Sequence, residues 1–331
     1  MVYSSGMLEE LSAFYKQANI YSCEFGCDHL DSCKKAARSV IAREKTTWEK
    51  IRARANLDKR EQEALAKHGQ FAEATATYVG SEYESNRSNC RLLFLSLDPG
   101  SDDVPAEIDE LPSEFPGLRC MQDDPVRRTP ETMQNRVPDE LKKDVESESP
   151  RFPRWVHWYG THLLAARILR EAANAPASEL CARVCTGLDS RIDQQSKSRG
   201  LAEVTRYFAH ANVVKCSIGK LGNAQAPGNM YKNCQSYLKR ELAILAPDIV
   251  VTQGRDAAQA IEDAFVCRAF DPFNHRLRYL RFSEKAPQDA LWIQTLHPRN
   301  GVFRTEGGLN WKDFTGAARE FMTGKRKSAA G

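Results

Sequence analysis

The chain has 331 residues, 41% hydrophobic and 27% charged, an ordinary globular composition. No run approaches the roughly 20 apolar residues of a membrane helix, and Met1–Gly6 has neither the basic start nor the apolar core of a secretory signal, so the expected location is the cytoplasm. The net charge of +3 conceals a division: residues 101–150 hold 14 acidic and 6 basic side chains, a net of −8, and the remainder holds 41 basic and 30 acidic, a net of +11. A basic body with one acidic segment suits a polyanionic partner, although a solvated surface with an acidic loop has the same composition.

No proline precedes Pro99, and residues 7–19 and most of 33–78 are rich in good helix formers. Leu8, Leu11 and Phe14 recur at helical spacing, so the first 90 residues are expected to be a helical segment. Four short apolar runs read as buried parallel strands: Leu92–Leu95, Ala211–Val214, Ile249–Thr252 and Leu291–Gln294. Helical stretches at 161–174, 231–246 and 255–266 lie between them. This alternation predicts a three-layer α/β/α sandwich around a central, mainly parallel four-stranded sheet. The whole chain is expected to form one domain. Residues 101–150, with seven prolines and little periodicity, read as a surface insertion or lid. The tail from Lys325 to Gly331 is expected to be unstructured.

In such a sheet the ligand site lies beyond the carboxyl ends of the strands. The first strand runs into Ser96-Leu97-Asp98-Pro99-Gly100, which alone would pass for a common turn. The second carries Asn212 and reaches Lys215-Cys216. The third leads into Gln253-Gly254-Arg255 just before a helix, where backbone N–H groups favour anions. The fourth ends in Thr295-Leu296-His297-Pro298-Arg299-Asn300. A lone Asn or His is more often structural than functional, but four polar strand ends share one rim.

Together these segments resemble a known family. His210-Ala211-Asn212-Val213-Val214-Lys215-Cys216, followed by Gly222-Asn223, Pro227, Cys234 and Leu238, is similar to the second block of the iron–sulfur uracil-DNA glycosylases. The segment from Leu245-Ala246-Pro247-Asp248 through Gln253-Gly254-Arg255-Asp256-Ala257 resembles their strand-Gly-Arg block, and His297-Pro298 with Arg304 their terminal motif. The matches run discontinuously from about residue 20 to the C-terminal helix. Departures are Ser96-Leu97-Asp98-Pro99-Gly100 where many members have Gly-Glu-x-Pro-Gly, and Arg299 where a Ser usually follows His-Pro. In the first of these the chain looks like the cluster-free uracil-DNA glycosylases, whose Asp is catalytic.

Ten cysteines are many for a reducing compartment, where disulfides are rare. Cys23, Cys27 and Cys33 cluster near the N-terminus, and Cys216 and Cys234 have 17 residues between them. The resemblance implies a [4Fe–4S] cluster held by Cys216, Cys234 and two of Cys23, Cys27 and Cys33, pinning loops together rather than doing chemistry. Zinc is the alternative metal, and buried structural cysteine the alternative without one. Cys181 and Cys185 fall in a helical segment and read as core, while Cys90, Cys120 and Cys267 read as structural.

The resemblance also assigns roles. A glycosylase flips a nucleotide into a pocket and breaks the base–sugar bond through a sugar cation, while the base leaves as an anion. Asp98 suits the sugar cation and its water, His297 a hydrogen bond to the departing base, and Asn212 the reading of the base edge. Trp158 or Tyr159 is the aromatic expected to stack on the base, and either is equally well a core residue. Gly254 and Arg255 are expected on DNA phosphates, and the loop with Arg299, Phe303 and Arg304 is expected to enter the groove, with Phe303 as a wedge. The expected function is therefore a monomeric, monofunctional DNA glycosylase, since no lysine nucleophile stands out. Its substrate is uracil, or a bulky modified base such as the cytosines of viral DNA, which would place it in antiviral defence. The alternative is a non-catalytic DNA-binding protein of the same fold, which would have no need of Asp98 and His297.

Overall fold

The structure is a computed structural model that describes residues 5–17, 27–29, 31–33, 35–36, 39, 53, 71–72, 77–85, 89–97, 157–189, 203–215, 217–218, 228–282, 289–297 and 311–330. The insertion at 101–150 lies outside them. So do Cys23, Asp98, Cys216, Arg299, Phe303, Arg304 and the side chains of Trp158 and Tyr159.

The described strands are β1 (Phe71–Ala72), β2 (Tyr78–Val79), β3 (Leu92–Ser96), β4 (Phe208–Asn212), β5 (Ser217–Ile218), β6 (Ile249–Gln253), β7 (Val266–Asp271), β8 (Asn274–Arg281) and β9 (Ala290–Thr295). The helices are α1 (Ser5–Gln17), α2 (His157–Ala172), α3 (Ala177–Asp189), α4 (Gly228–Leu245), α5 (Arg255–Ala264) and α6 (Trp311–Ala330). The main sheet runs β2-β4-β3-β6-β9-β8-β7, seven strands rather than the four expected. Its centre, β4-β3-β6-β9, is parallel, with three of the four expected runs in place and the second shifted. The extra strands are antiparallel: β2 beside β4, and the β7–β8 hairpin beside β9. Separately, β1 pairs with β5.

Every residue of β3, β4 and β6 is buried, because helices cover both faces. One face packs Leu93, Leu95, Ala209, Ala211, Val250 and Trp292 against α1, α4 and α5. The other packs Leu92, Phe94, Phe208, Ile249, Val251, Leu291 and Ile293 against α2, α3 and α6. Helix α4 shows why it lies flat on its face: Met230, Cys234, Tyr237, Leu238, Glu241, Leu242 and Leu245 recur three and four apart and are its buried stripe. Cys181 and Cys185 belong to the second core, on α3, as expected of packing residues.

Three further expectations are corrected. The second central strand is Phe208–Asn212, three residues earlier than the apolar run suggested at its start. It pairs in register with Leu92–Ser96, and beyond Asn212 the chain bends so that Lys215 turns inward, although the Val213 and Val214 amides still bond the Ser96 and Leu97 carbonyls. The N-terminal segment, read as helical through residue 90, supplies the strands β1 and β2. The tail is not unstructured: α6 continues to Ala330, because Lys325-Arg326-Lys327 are good helix formers and Lys325 is held by an ion pair to the buried Asp248.

Candidate active site

Side chains alternate across a strand, and on the α2–α6 face each central strand follows one pattern. Leu92 and Phe94 lead to Ser96, Phe208 leads to His210 and Asn212, Ile249 and Val251 to Gln253, and Leu291 and Ile293 to Thr295. Apolar positions at the amino ends thus give way to polar ones at the carboxyl ends. The pairing register sets these ends side by side, Ser96 opposite Asn212 and Gln253 opposite Thr295.

The polar ends are tied into one directional chain. Ser96 Oγ donates to Gln253 Oε1 at 2.9 Å, which leaves the serine oxygen to accept from His210 Nε2 at 2.8 Å. Gln253 Nε2 then donates to Thr161 Oγ1 at 2.7 Å. Thr161 lies in the second turn of α2, so this bond fixes the start of that helix over the strand ends. Trp158 and Tyr159 precede Thr161 on the same helix, which brings their backbone to the rim that the sequence assigned them.

Asn212 is the last residue of β4 and 1% exposed. Its Nδ2 is buried without a hydrogen-bond partner. An unmet buried donor of this kind costs about 1–3 kcal/mol, so it is rare unless a ligand completes it. Its backbone is anchored from the other face, where Lys215 Nζ donates to the Asn212 carbonyl at 2.6 Å. The same ammonium pairs with Glu241 on α4, a carboxylate that also accepts from Tyr15 of α1 at 2.5 Å and from Thr77 at 3.2 Å.

Gly254 links β6 to α5. Its φ of 110° and ψ of 162° lie in a region open in practice only to glycine, and it caps α5 without a side-chain bond. The first-turn amides of α5 therefore point outward beside an exposed Arg255, as an anion site requires. The Gly254 N–H bonds the Thr295 carbonyl at 3.0 Å, and a Cβ at Gly254 would stand 3.7 Å from that of His297. His297, two residues beyond β9 and half-buried, thus sits beside the positive end of α5.

Three of the five candidate metal ligands fall in described residues, and they gather around α4. Tyr237 Oη lies 3.4 Å from Cys27 Sγ, and Asn233 Nδ2 donates to Cys33 Sγ at 3.2 Å. Burial pushes the Cys234 thiol up to about 12, opposed by the Lys215 backbone N–H bonded to its sulfur and by the Lys215 ammonium; Cys33 and Cys27 both lie near enough to raise it further. Burial also raises Cys33, against the Asn233 bond. Among the described residues no three His, Cys, Asp or Glu side chains by themselves surround a metal position.

The model of the uracil DNA glycosylase superfamily matches residues 149–320, more than half of the chain. The chain belongs to the uracil DNA glycosylase superfamily. Its members are DNA glycosylases, so base excision from DNA is the chemistry of this fold. The match takes in the strand ends carrying Asn212, Gly254 and His297, and the expected cysteines Cys216 and Cys234. No curated protein matches the chain. No helix among the described residues is long and apolar enough to cross a membrane. The sequence reading had not recognised the roles of Ser96, His210, Thr161 and Glu241. For Ser96 and His210 the signal is every second residue of the strand turning polar toward its end.

Proposed function

We propose that this superfamily member is a monofunctional glycosylase that flips uracil or a modified base out of DNA and hydrolyses its bond to the sugar. The single observation that carries this reading is the buried, unpartnered amide nitrogen of Asn212 at the carboxyl end of β4. A base carbonyl is a fitting acceptor for it, and the Asn212 side-chain oxygen is left to accept from a ring N–H. The His210–Ser96–Gln253–Thr161 chain holds the surrounding wall rigid, so little ordering is required when the base arrives.

In this reading His297 donates a hydrogen bond to the base oxygen as negative charge builds on it, and the nearby start of α5 adds a favourable field. Asp98, two residues beyond β3, stabilises the sugar cation and directs water at it. Trp158 or Tyr159 stacks on the base, and Gly254, Arg255, Arg299, Arg304 and Phe303 meet the DNA. The deciding experiment offers the protein duplexes carrying uracil, and genomic DNA with modified cytosines, followed by alkaline cleavage of abasic sites. Breaks at uracil identify a repair activity, and breaks only in modified DNA identify a defence activity. Tight binding of both with no breaks refutes the enzymatic reading.

A [4Fe–4S] cluster on Cys216, Cys234, Cys27 and Cys33 completes the proposal, with zinc as the rival metal. The convergence of Cys27, Cys33 and Cys234, with N–H groups aimed at two of the sulfurs, supports Cys27 and Cys33 as ligands. When bound, the cluster cross-links the N-terminal segment to α4 and to the loop after Asn212. Anaerobically purified protein is expected to hold iron and sulfide in equal amounts and to absorb visible light. Cys234→Ser should lose both, whereas Cys23→Ser should keep them. Zinc without iron would overturn the cluster, and iron lost only on Cys23→Ser would overturn this ligand set.

A further inference from the structure

We propose that the β7–β8 hairpin is a second DNA-contacting element, with Phe273 packing against bases beside the flipped nucleotide and His275 and Arg276 on the backbone. The proposal rests on the glycosylase reading and adds to it a contact surface outside the strand-end loops. Leu280 lies opposite Ala290 and Leu277 opposite Ile293, so β8 begins where β9 ends. The turn at Pro272-Phe273 therefore lies at the same edge of the sheet as His297. Adjacent strands are about 4.8 Å apart, which brings the tip within a few nucleotides of a base held at that edge.

Phe273 is 96% exposed, the most exposed large apolar side chain among the described residues. It is also presented rigidly. Asp271 Oδ1 accepts the Phe273 N–H at 2.8 Å, and Asn274 Oδ1 accepts the Arg276 N–H at 3.1 Å. Behind the turn, the Phe270 and Tyr279 rings pack tilted at 5.1 Å, Arg268 lies 4.5 Å over the Tyr279 ring, and Tyr279 leans on Phe321 of α6. A fixed, bare aromatic ring is what a stacking contact with bases uses, since every base has a π-face.

The charges agree with this. Arg268 and Arg281 share Asp289, and Arg278 pairs with Glu262. His275 and Arg276 make no ion pair among the described residues, and Asp271, the only acid at the tip, is engaged with the turn amide. The tip therefore presents an unpaired cation beside an apolar ring, a combination suited to phosphate and base together.

The test titrates the full chain against a labelled duplex containing one tetrahydrofuran abasic mimic, at several salt concentrations. Phe273→Ala should bind about tenfold more weakly and Phe273→Trp about as well as the parent. Arg276→Ala should weaken binding and lower the salt slope by about 1. Because Phe273 is exposed and Arg276 only half-buried, the variants should unfold close to the parental temperature. Parental binding by Phe273→Ala and Arg276→Ala would overturn the hairpin contact while leaving the glycosylase reading intact. Failure of the parent itself to bind any duplex would overturn both. A dimer that dissociates in Phe273→Ala with DNA affinity unchanged would make the tip a self-association surface and also refute the proposal.

Discussion

Asp98→Ala and His297→Ala should each slow base release by at least about 10²- to 10³-fold, the cost of losing one group aimed at developing charge. Neither should weaken binding to an abasic-mimic duplex by more than a few-fold. The reason lies in the division of labour at the strand ends. In the proposed reading Arg255 meets phosphate, whose charge does not change during the reaction, so it serves binding. Charge develops at the sugar and at the base oxygen, and only interactions that strengthen with it accelerate the step. His297 is placed for the base side by its contact with Gly254, whose own amide is fixed by Thr295. Asp98 follows β3, which lies between β4 and β6 at the middle of the polar rim. The double variant should be little slower than the worse single one, because groups acting on one transition state do not add. Single-turnover rates for the parent and three variants measure this. Normal excision by both single variants would sink the assignment, and equal losses of binding and rate would turn the two residues into binding groups.

What the sequence made legible follows from which forces leave a local trace. Buried parallel strands need unbroken apolar runs, so β3, β6 and β9 were readable almost to the residue, and the helices α2, α4 and α5 between them followed. The start of β4 was not readable, because Phe208-Ala209-His210 carries a histidine whose burial depends on Ser96, 114 residues away. The β7–β8 hairpin was missed for the opposite reason. Its residues mix charged and apolar side chains and few of them are fully buried, so no run stood out, although Asp271-Pro272-Phe273-Asn274 is good turn chemistry. At the candidate site, Asn212 and His297 were singled out through motif likeness and strand-end position. Glu241 was invisible because a single acid on an apolar helix face reads as an exception until its partners are known. Its partners come from α1, residue 77 and the bend after β4, and no sequence window spans them.

That same acid carries the largest expected effect on stability. Lys215→Met and Glu241→Leu should each destabilise the protein by about 3–5 kcal/mol, because each leaves an opposite charge buried and uncompensated. Both side chains are almost completely excluded from water, at 2% and 0% exposure. Against a total stability of roughly 5–15 kcal/mol such a loss is severe, and single variants should yield little folded protein. The double variant separates two roles of the pair. Replacing both charges by apolar side chains removes the desolvation penalty along with the attraction, so it should recover most of the lost stability. It should not recover excision, because the Asn212 carbonyl then loses the bond that Lys215 makes at 2.6 Å, and the amide proposed to read the base loses that support. Denaturant unfolding of the four proteins gives the coupling energy, and excision rates at saturating enzyme give the positioning effect. Single variants within 1 kcal/mol of the parent, a shift to be expected only of an exposed pair, would refute the structural role. A double variant that is stable and fully active would show that Asn212 is held without Lys215, and would confine the pair to folding.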